Sequence, residues 1–431
     1  MKFAFQTLGC KLNFSESATL SRQLIARGLT RVENPAEAEI IIVNTCSVTD
    51  HADRKCRQAI TRLHRLNPTA RIVVTGCYAQ LNPTKLSGIE GVKRVISTVD
   101  KFNIDAYISE DTISTSDKEL TFCGAVSYDE RTRCFLKVQD GCDYFCTYCT
   151  IPHARGRSRS ATMEQTMALA VEAAQKGIKE IVLTGVNIGT FGKGTSENLL
   201  SLCQALDNLY DKGIERIRIS SIEPNLLTDE LIDFTLHSHI FAPHFHIPLQ
   251  SGSDDILKLM GRRYRRDTFA ERVQRIKHNR PDAFIGVDVI VGMRGETEEM
   301  FQDSLDFIQS LPVTQLHVFP YSERSGTRAL QITPIVPENV KKQRAEKLQK
   351  ISQTKLTQFY EQHIGCSARV LWEKAKKDGN LMHGFTDNYI RVSTPYNPQL
   401  ADRTEWVQLG SINLKDRALS LIANRKSDDE I

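Results

Sequence analysis

Cysteine supplies the densest chemistry in this sequence. Cys142, Cys146 and Cys149 lie in Asp140-Gly141-Cys142-Asp143-Tyr144-Phe145-Cys146-Thr147-Tyr148-Cys149, on one short stretch. Three thiolates so placed can hold three irons of a 4Fe–4S cube, leaving the fourth iron open to a small molecule. The same residues with His153 could instead form a Cys3His zinc site, although zinc sites favour paired Cys-x2-Cys units. A second set is spread out: Cys10 in Thr7-Leu8-Gly9-Cys10, Cys46 in Val43-Asn44-Thr45-Cys46 and Cys77 in Val73-Val74-Thr75-Gly76-Cys77. Each follows a short apolar run and is flanked by Gly or Thr, which leaves room for a bulky cluster. They could be buried structural thiols. Three of them at equivalent strand ends favour a second cluster with one open iron.

That reading requires a parallel sheet. Phe3 to Thr7, Glu39 to Asn44, Arg71 to Thr75 and Lys93 to Ile96 read as strands, with helices after Ser15 and Asp50. Continuous apolar strands alternating with helices imply a sheet covered on both faces. Ligands of such folds bind at the carboxyl ends of the strands, where the three cysteines would converge. The stretch from Asp100 to about Arg133 is polar and reads as a linker. A second series then begins, with strands at 134–138, 180–184, 216–220, 244–249, 284–291 and 315–319. Six β/α units fall short of a closed eightfold barrel and predict a splayed one with a wide mouth. A charged helix over 340–363 leads to short alternating runs that read as a small antiparallel β-barrel. The fold class is therefore α/β: an open parallel α/β domain (1–115), a partial (β/α)6 barrel (128–362) and a small antiparallel β-barrel (363–428).

The bulk properties narrow the class. The chain has 431 residues, 11 cysteines and a formal net charge of +4. It offers no apolar run long enough to span a membrane and no signal-peptide core, so a cytoplasmic protein is expected. In that compartment the cysteines point to metal, catalysis or burial rather than disulfides. Arginines bunch around Arg54 to Arg57, Arg155 to Arg159 and Arg262 to Arg266, patterns that suit a polyanion such as RNA as well as solvated faces.

Cys142-x3-Cys146-x2-Cys149 after the first strand of a barrel resembles the radical S-adenosylmethionine (SAM) enzymes. Together with Cys10, Cys46 and Cys77 and the final β-barrel, it resembles the methylthiotransferases over nearly the whole chain. The last domain is similar to the RNA-binding TRAM module. The motifs Asn44-Thr45-Cys46-Ser47-Val48-Thr49, Cys149-Thr150-Ile151-Pro152-His153-Ala154-Arg155-Gly156-Arg157 and Arg218-Ile219-Ser220-Ser221-Ile222-Glu223-Pro224 look most like the branch acting on threonylcarbamoyl-adenosine in tRNA. Other branches act on isopentenyl-adenosine in tRNA or on a ribosomal-protein aspartate.

The resemblance implies two 4Fe–4S clusters, held by Cys10, Cys46 and Cys77 and by Cys142, Cys146 and Cys149. The first would carry a sulfur that one SAM methylates. The second would cleave another SAM to a 5′-deoxyadenosyl radical that activates C2 of the adenine. It places SAM contacts at Tyr148, Thr184, Asn187, Ser221, Glu223, Gln250 and Asp288. It implies tRNA as substrate, an electron donor such as flavodoxin or ferredoxin, and a sulfur source. Arg294 stands where the family usually has proline. Arg155, Arg157 and Arg159 are candidates for tRNA phosphates, and Tyr389, Arg391 and Trp406 for tRNA bases, with Trp406 equally suited to the small barrel's core. Cys134 and Cys203 are expected in the core, and Cys56, Cys123 and Cys366 carry no assigned role. A reading from another class is a non-catalytic metal-containing RNA-binding protein.

Overall fold

The computed structural model describes residues 1–109, 121–128, 131–374, 380–414, 416 and 418–424. The first sheet contains β1 (Lys2–Thr7), β2 (Thr30–Arg31), β3 (Ile40–Thr45), β4 (Arg71–Gly76) and β5 (Val92–Val95). Its order is β2-β1-β3-β4-β5, with every pairing parallel. The side chains explain why β3 and β4 are apolar throughout. Ile41, Val43, Ile72 and Val74 pack on Ile60 and Leu63 of the helix Asp50–Leu66, while Ile40, Ile42 and Val73 pack with Leu20 and Leu24 of the helix Lys11–Ala26. Register aligns Thr7 with Asn44 and Asn44 with Thr75, so the segments carrying the three cysteines leave one crest side by side.

The central domain holds β6 (Ala125–Ser127), β7 (Arg133–Lys137), β8 (Gln139–Asp140), β9 (Arg159–Ser160), β10 (Glu180–Thr184), β11 (Arg216–Ile219), β12 (His244–Gln250), β13 (Phe284–Val291) and β14 (Gln315–Pro320). Its barrel wall is a four-stranded sheet, β11-β10-β7-β6, followed by a three-stranded one, β12-β13-β14. At the seam between the two sheets, Ile217 bridges Phe241 and the Ile222 amide donates to the His246 carbonyl oxygen (3.0 Å), and no pairing among the described residues joins β6 to β14, so the barrel is open. The expected linker needs correction. Part of it, 110–120, lies outside the described residues. Ala125–Ser127, however, pairs antiparallel with β7, and Lys101 is buried. Its polar sequence concealed a lysine whose counter-ion lies in another element.

The last domain closes β15 (Ser367–Trp372), β16 (Leu381–Thr386), β17 (Arg391–Pro395), β18 (Thr404–Ile412) and β19 (Leu421–Asn424) into a barrel ordered β15-β16-β17-β19-β18. One pairing, β17 with β19, is parallel. A closed ring of five strands cannot alternate direction all the way round. The sequence also hides β16, because Gly384 interrupts its pattern. That glycine passes so close to β15 that a Cβ would lie 2.6 Å from the Leu371 carbonyl oxygen. Among the described residues no helix is long and apolar enough to cross a membrane.

Candidate active site

Cys10 occupies the N-cap of the helix Lys11–Ala26, Cys46 follows β3, and Cys77 opens the short helix Cys77–Leu81 after β4. Cys10 makes no side-chain capping bond, so its thiol is not committed to the helix. Two glycines with positive φ bring the three together. A Cβ on Gly9 (φ +106°) would fall 2.4 Å from Cys46 Cβ, and one on Gly76 (φ +100°) 2.3 Å from the Thr45 carbonyl oxygen. Burial, then the Cys10 and Cys77 thiols, push the Cys46 thiol up to about 12. Such thiols keep their protons unless a metal replaces them. Cys56 stands behind the site and donates its S–H to the Cys46 carbonyl oxygen (3.4 Å).

The loop carrying Cys142, Cys146 and Cys149 is fixed by its own backbone and by neighbours. Amides of Tyr144 and Ile151 approach Cys142 Sγ (3.4 Å) and Cys149 Sγ (3.5 Å). Thr147 donates its amide to Met260 and its hydroxyl to the Leu259 carbonyl oxygen, and it accepts from the Ala329 amide. Gln139 bonds the Asp140 and Gly141 carbonyl oxygens and receives the Asn187 amide at 2.8 Å. Arg262 donates to Cys146 Sγ at 3.2 Å while paired with Glu223. Nothing local in the sequence marked Gln139, and Arg262 stood out only as part of a basic cluster suited to a polyanion. The Cys3His zinc alternative needs His153 to converge with the three thiols; its ring packs edge-on to Phe145 of the same loop at 6.1 Å. Among the described residues no three His, Cys, Asp or Glu side chains are disposed to hold a single metal ion. A cubane does not require that convergence, because each thiolate binds its own iron.

The other sequence-predicted contacts are distributed around this loop. Asn187 is buried, with Nδ2 3.9 Å from Cys142 Sγ and an Oδ1 that has no hydrogen-bond partner. Glu223 is held by Arg262, and burial raises its carboxyl above the usual range. Tyr148 is half-buried and packs against Ile256, Met260 and Met293. Thr184 is buried and turns its hydroxyl to the Val182 carbonyl oxygen (3.0 Å). Ser221 is half-buried at the end of β11. Gln250 has φ +66° where the β12–β13 register shifts, a left-handed backbone uncommon outside glycine. Asp288 on β13 has His246 as its partner, 2.9 Å away. Arg294 has two anchors, Glu323 (2.7 Å) and the Leu330 carbonyl oxygen (2.6 Å), so the Gly292–Glu296 loop is tied to the next segment.

A buried ion network joins the two cysteine sites. Glu16 pairs with Lys101, with Lys137 (2.8 Å) and with Arg155 (2.9 Å). Asp140 pairs with Lys137 (2.8 Å), Arg155 (3.1 Å) and Arg159 (3.1 Å). Arg155 also reaches Cys77 Sγ at 3.2 Å and Asn13 Oδ1 at 2.8 Å. Burial opposes charge at Glu16, but Arg155, Lys101 and Lys137 hold its carboxyl well below the usual range. Arg155, expected on tRNA phosphate, is 2% exposed and is unavailable to RNA. Arg159 is committed to Asp140, whereas Arg157 remains exposed.

A second junction was also unforeseen. Arg216 and Arg218 share Glu180 and donate to the Phe385, Thr386 and Asp387 carbonyl oxygens, seating the small barrel on the large one. Tyr389 lies in that junction against His244, Phe284 and Phe385, and Arg391 is paired with Asp416. The barrel core contains Trp372, fully buried with its N–H on Glu405, whereas Trp406 is 66% exposed. Trp406 sits on β18 with its side chain outward, so the core expectation is corrected. Cys134 and Cys203 are core residues, as expected.

An open barrel with three thiols on the loop after its first full strand defines a radical SAM enzyme, and known proteins agree. The family model described as Radical SAM superfamily matches residues 136–308, and that described as Uncharacterized protein family UPF0004 matches residues 2–97. In fold, the chain resembles the radical S-adenosylmethionine methyltransferase TsrM from Kitasatospora setae, with a TM-score of 0.54 and 15% identity over 74% of each chain. The threonylcarbamoyladenosine tRNA methylthiotransferase MtaB of Aquifex aeolicus is 39% identical over 402 residues, covering 91% of this chain and 96% of that protein. Its Bacillus subtilis counterpart is 38% identical, covering 90% and 89%. A tRNA-2-methylthio-N(6)-dimethylallyladenosine synthase of Rickettsia canadensis is 31% identical, covering 88% and 90%. The chain belongs to the family of threonylcarbamoyladenosine tRNA methylthiotransferases.

Proposed function

We propose that this protein adds a methylthio group to C2 of N6-threonylcarbamoyladenosine beside the anticodon of tRNA, in the cytoplasm. It would use SAM and two 4Fe–4S clusters, one on Cys10, Cys46 and Cys77 and one on Cys142, Cys146 and Cys149. The observation that carries this reading is the pair of three-thiol sites joined through Arg155. When bound, the clusters and SAM supply the sulfur, the methyl group and the radical that opens an unreactive aromatic C–H bond.

The chain's own residues bind and orient. Backbone amides and Arg262 direct donors at the barrel thiols, favouring their anionic form. The orphaned Asn187 Oδ1 can accept from the amino group of SAM, and Glu223 and Ser221 from its ribose. Arg155 and its partners fix the first site relative to the second and surround it with more positive than negative charge, which suits an anionic cluster. Exposed Trp406 offers a stacking face for a tRNA base. A flavodoxin or ferredoxin would deliver electrons, and a separate sulfur source would restore the first cluster.

Mass spectrometry of tRNA nucleosides from the host with and without the gene tests the substrate. Loss of the methylthio form of threonylcarbamoyladenosine, with its precursor accumulating, is the expected result. An unchanged nucleoside with a missing mark on dimethylallyladenosine would move the protein to the branch represented by its 31% identical relatives. Anaerobic metal analysis should give about eight irons per chain with matching sulfide. One or two zincs would instead favour a non-catalytic RNA-binding protein.

A further inference from the structure

The segment that leaves β14 runs between the two cysteine sites and is hydrogen-bonded to both. Its first half serves the N-terminal site. Ser322 Oγ accepts the Asp50 amide (3.1 Å), and Arg324 Nη2 donates to Ser47 Oγ (2.6 Å) while paired with Asp53 (2.9 Å). Ser47, the neighbour of Cys46, closes a ring by donating to Asp53 Oδ1 at 2.7 Å. Ser47, Asp53 and Arg324 are all buried, although Arg324 comes from the barrel domain. The second half serves the barrel site. Arg328 Nη2 donates to the Phe145 carbonyl oxygen (2.7 Å), and the Ala329 amide to the Thr147 carbonyl oxygen (2.9 Å). Phe145 and Thr147 flank Cys146 on either side.

A tight turn joins the halves. The Arg324 carbonyl oxygen accepts both the Thr327 amide (3.3 Å) and the Thr327 hydroxyl (2.7 Å). Gly326 has φ +79°, as the third residue of a type II turn requires. At the far end, Phe145 has φ +50°, a conformation uncommon outside glycine, and it persists where neighbours hold the backbone, as Arg328 does. Few torsions therefore remain to absorb a movement of one end against the other. Arg155 meets the N-terminal site at Cys77, so this segment is a second and separate tie, made at Cys46.

We propose that residues 322–329 are a strap that sets the spacing of the two sites, with Arg324 as its positioning residue. Arg324 acts on Cys46 through Ser47, not on the substrate. The inference rests on the reading that both sites hold clusters. Radical chemistry begun at the barrel site is productive only if the adenine lies at a fixed place between that site and the sulfur at the other. A misplacement of about 1 Å can cost on the order of a hundredfold in rate. Neither cysteine motif sets that distance alone, because Cys46 and Cys146 belong to different domains.

Arg324→Gln tests this in the cluster-loaded enzyme, acting on an anticodon stem-loop that carries threonylcarbamoyladenosine. The ratio of 5′-deoxyadenosine to methylthio-nucleoside should rise about tenfold, as a shift of well under 1 Å would cause, with about eight irons retained. Pulsed electron paramagnetic resonance of the reduced enzyme should show a broadened magnetic coupling between the clusters, since that coupling falls with the cube of their separation. Arg324→Lys should preserve both readouts, because one nitrogen makes both contacts. Arg328→Ala, at the exposed end of the strap, should raise the ratio in the same direction by less. In the metal-free protein, Arg324→Gln should speed amide hydrogen exchange at 46–53 and 143–149 together. Exchange raised at 46–53 alone would overturn the proposal, because Arg324 would then be a local support of one site. An unchanged product ratio and coupling in loaded Arg324→Gln would overturn it too. If that variant fails to take up iron, Arg328→Ala decides, and its unchanged ratio at full iron content would overturn the strap. A wild type with only about four irons would overturn the two-cluster reading instead, and this inference with it.

Discussion

The two cysteine sites are built in opposite ways. Cys142, Cys146 and Cys149 share one loop, which hydrogen bonds to Gly156 nearby and to Met260 and Ala329 from remote segments hold in place. Cys10, Cys46 and Cys77 leave three different strands and meet only because β1, β3 and β4 pair in parallel register. The barrel site can therefore form once its own loop is seated. The N-terminal site depends on a whole sheet, on Gly9 and Gly76, and on Arg155 reaching across from the other domain. The barrel site has to seat one loop, whereas the N-terminal site carries every weakness of three strands and a second domain.

Single cysteine replacements should divide the two sites most sharply. Cys146→Ala should reduce SAM cleavage to background, assayed as 5′-deoxyadenosine, and halve the iron. Cys10→Ala should abolish methylthio transfer while 5′-deoxyadenosine is still formed. Loss of both products in Cys10→Ala would mean that the sites are not separable.

The interface comes next. Glu16→Ala leaves Lys101, Lys137 and Arg155 facing one another out of water, and removal of one partner from such a buried set costs about 3–5 kcal/mol. Urea denaturation should show that loss, with iron depleted from the N-terminal site before the barrel site. Equal depletion of both sites would erase the contrast between them.

The junction with the small barrel offers a pH test. Burial opposes ionisation of Glu180, but Arg218 and Arg216 outweigh it and hold the carboxyl at about 2 instead of 4.5. Its contribution, on the order of 3 kcal/mol, is fully present above pH 4.5 and is lost as pH falls toward 2. Acid titration followed by near-ultraviolet circular dichroism should show that loss, and Glu180→Gln should flatten it. The smallest effect is expected at the surface. Trp406→Ala should weaken tRNA binding by about 1–3 kcal/mol without changing the melting temperature. Unaltered affinity in gel-shift or anisotropy measurements would remove the small barrel's outer face from the RNA surface.

Much of this was legible in advance because it rests on repeating patterns. The alternation of apolar strands and helices identified both α/β domains, and the cysteine spacing marked the two candidate sites. The errors have two origins. Arg155 and Arg262 read as RNA-binding because arginine is usually solvated, yet each is buried against a cysteine and a carboxylate contributed from a distance. Lys101 read as part of a linker for the same reason, and Trp406 read as core because size alone does not reveal which face of a strand it occupies.

By itself, then, the sequence determined which residues could bind iron, how many domains carry them and in what order. Those properties follow from local spacing and from the period of apolar residues along one element. Only the tertiary structure decided which charges leave water and which carboxylate neutralises each. Pairing free energies depend on distance and dielectric between elements remote in sequence, and neither quantity exists until the chain has folded.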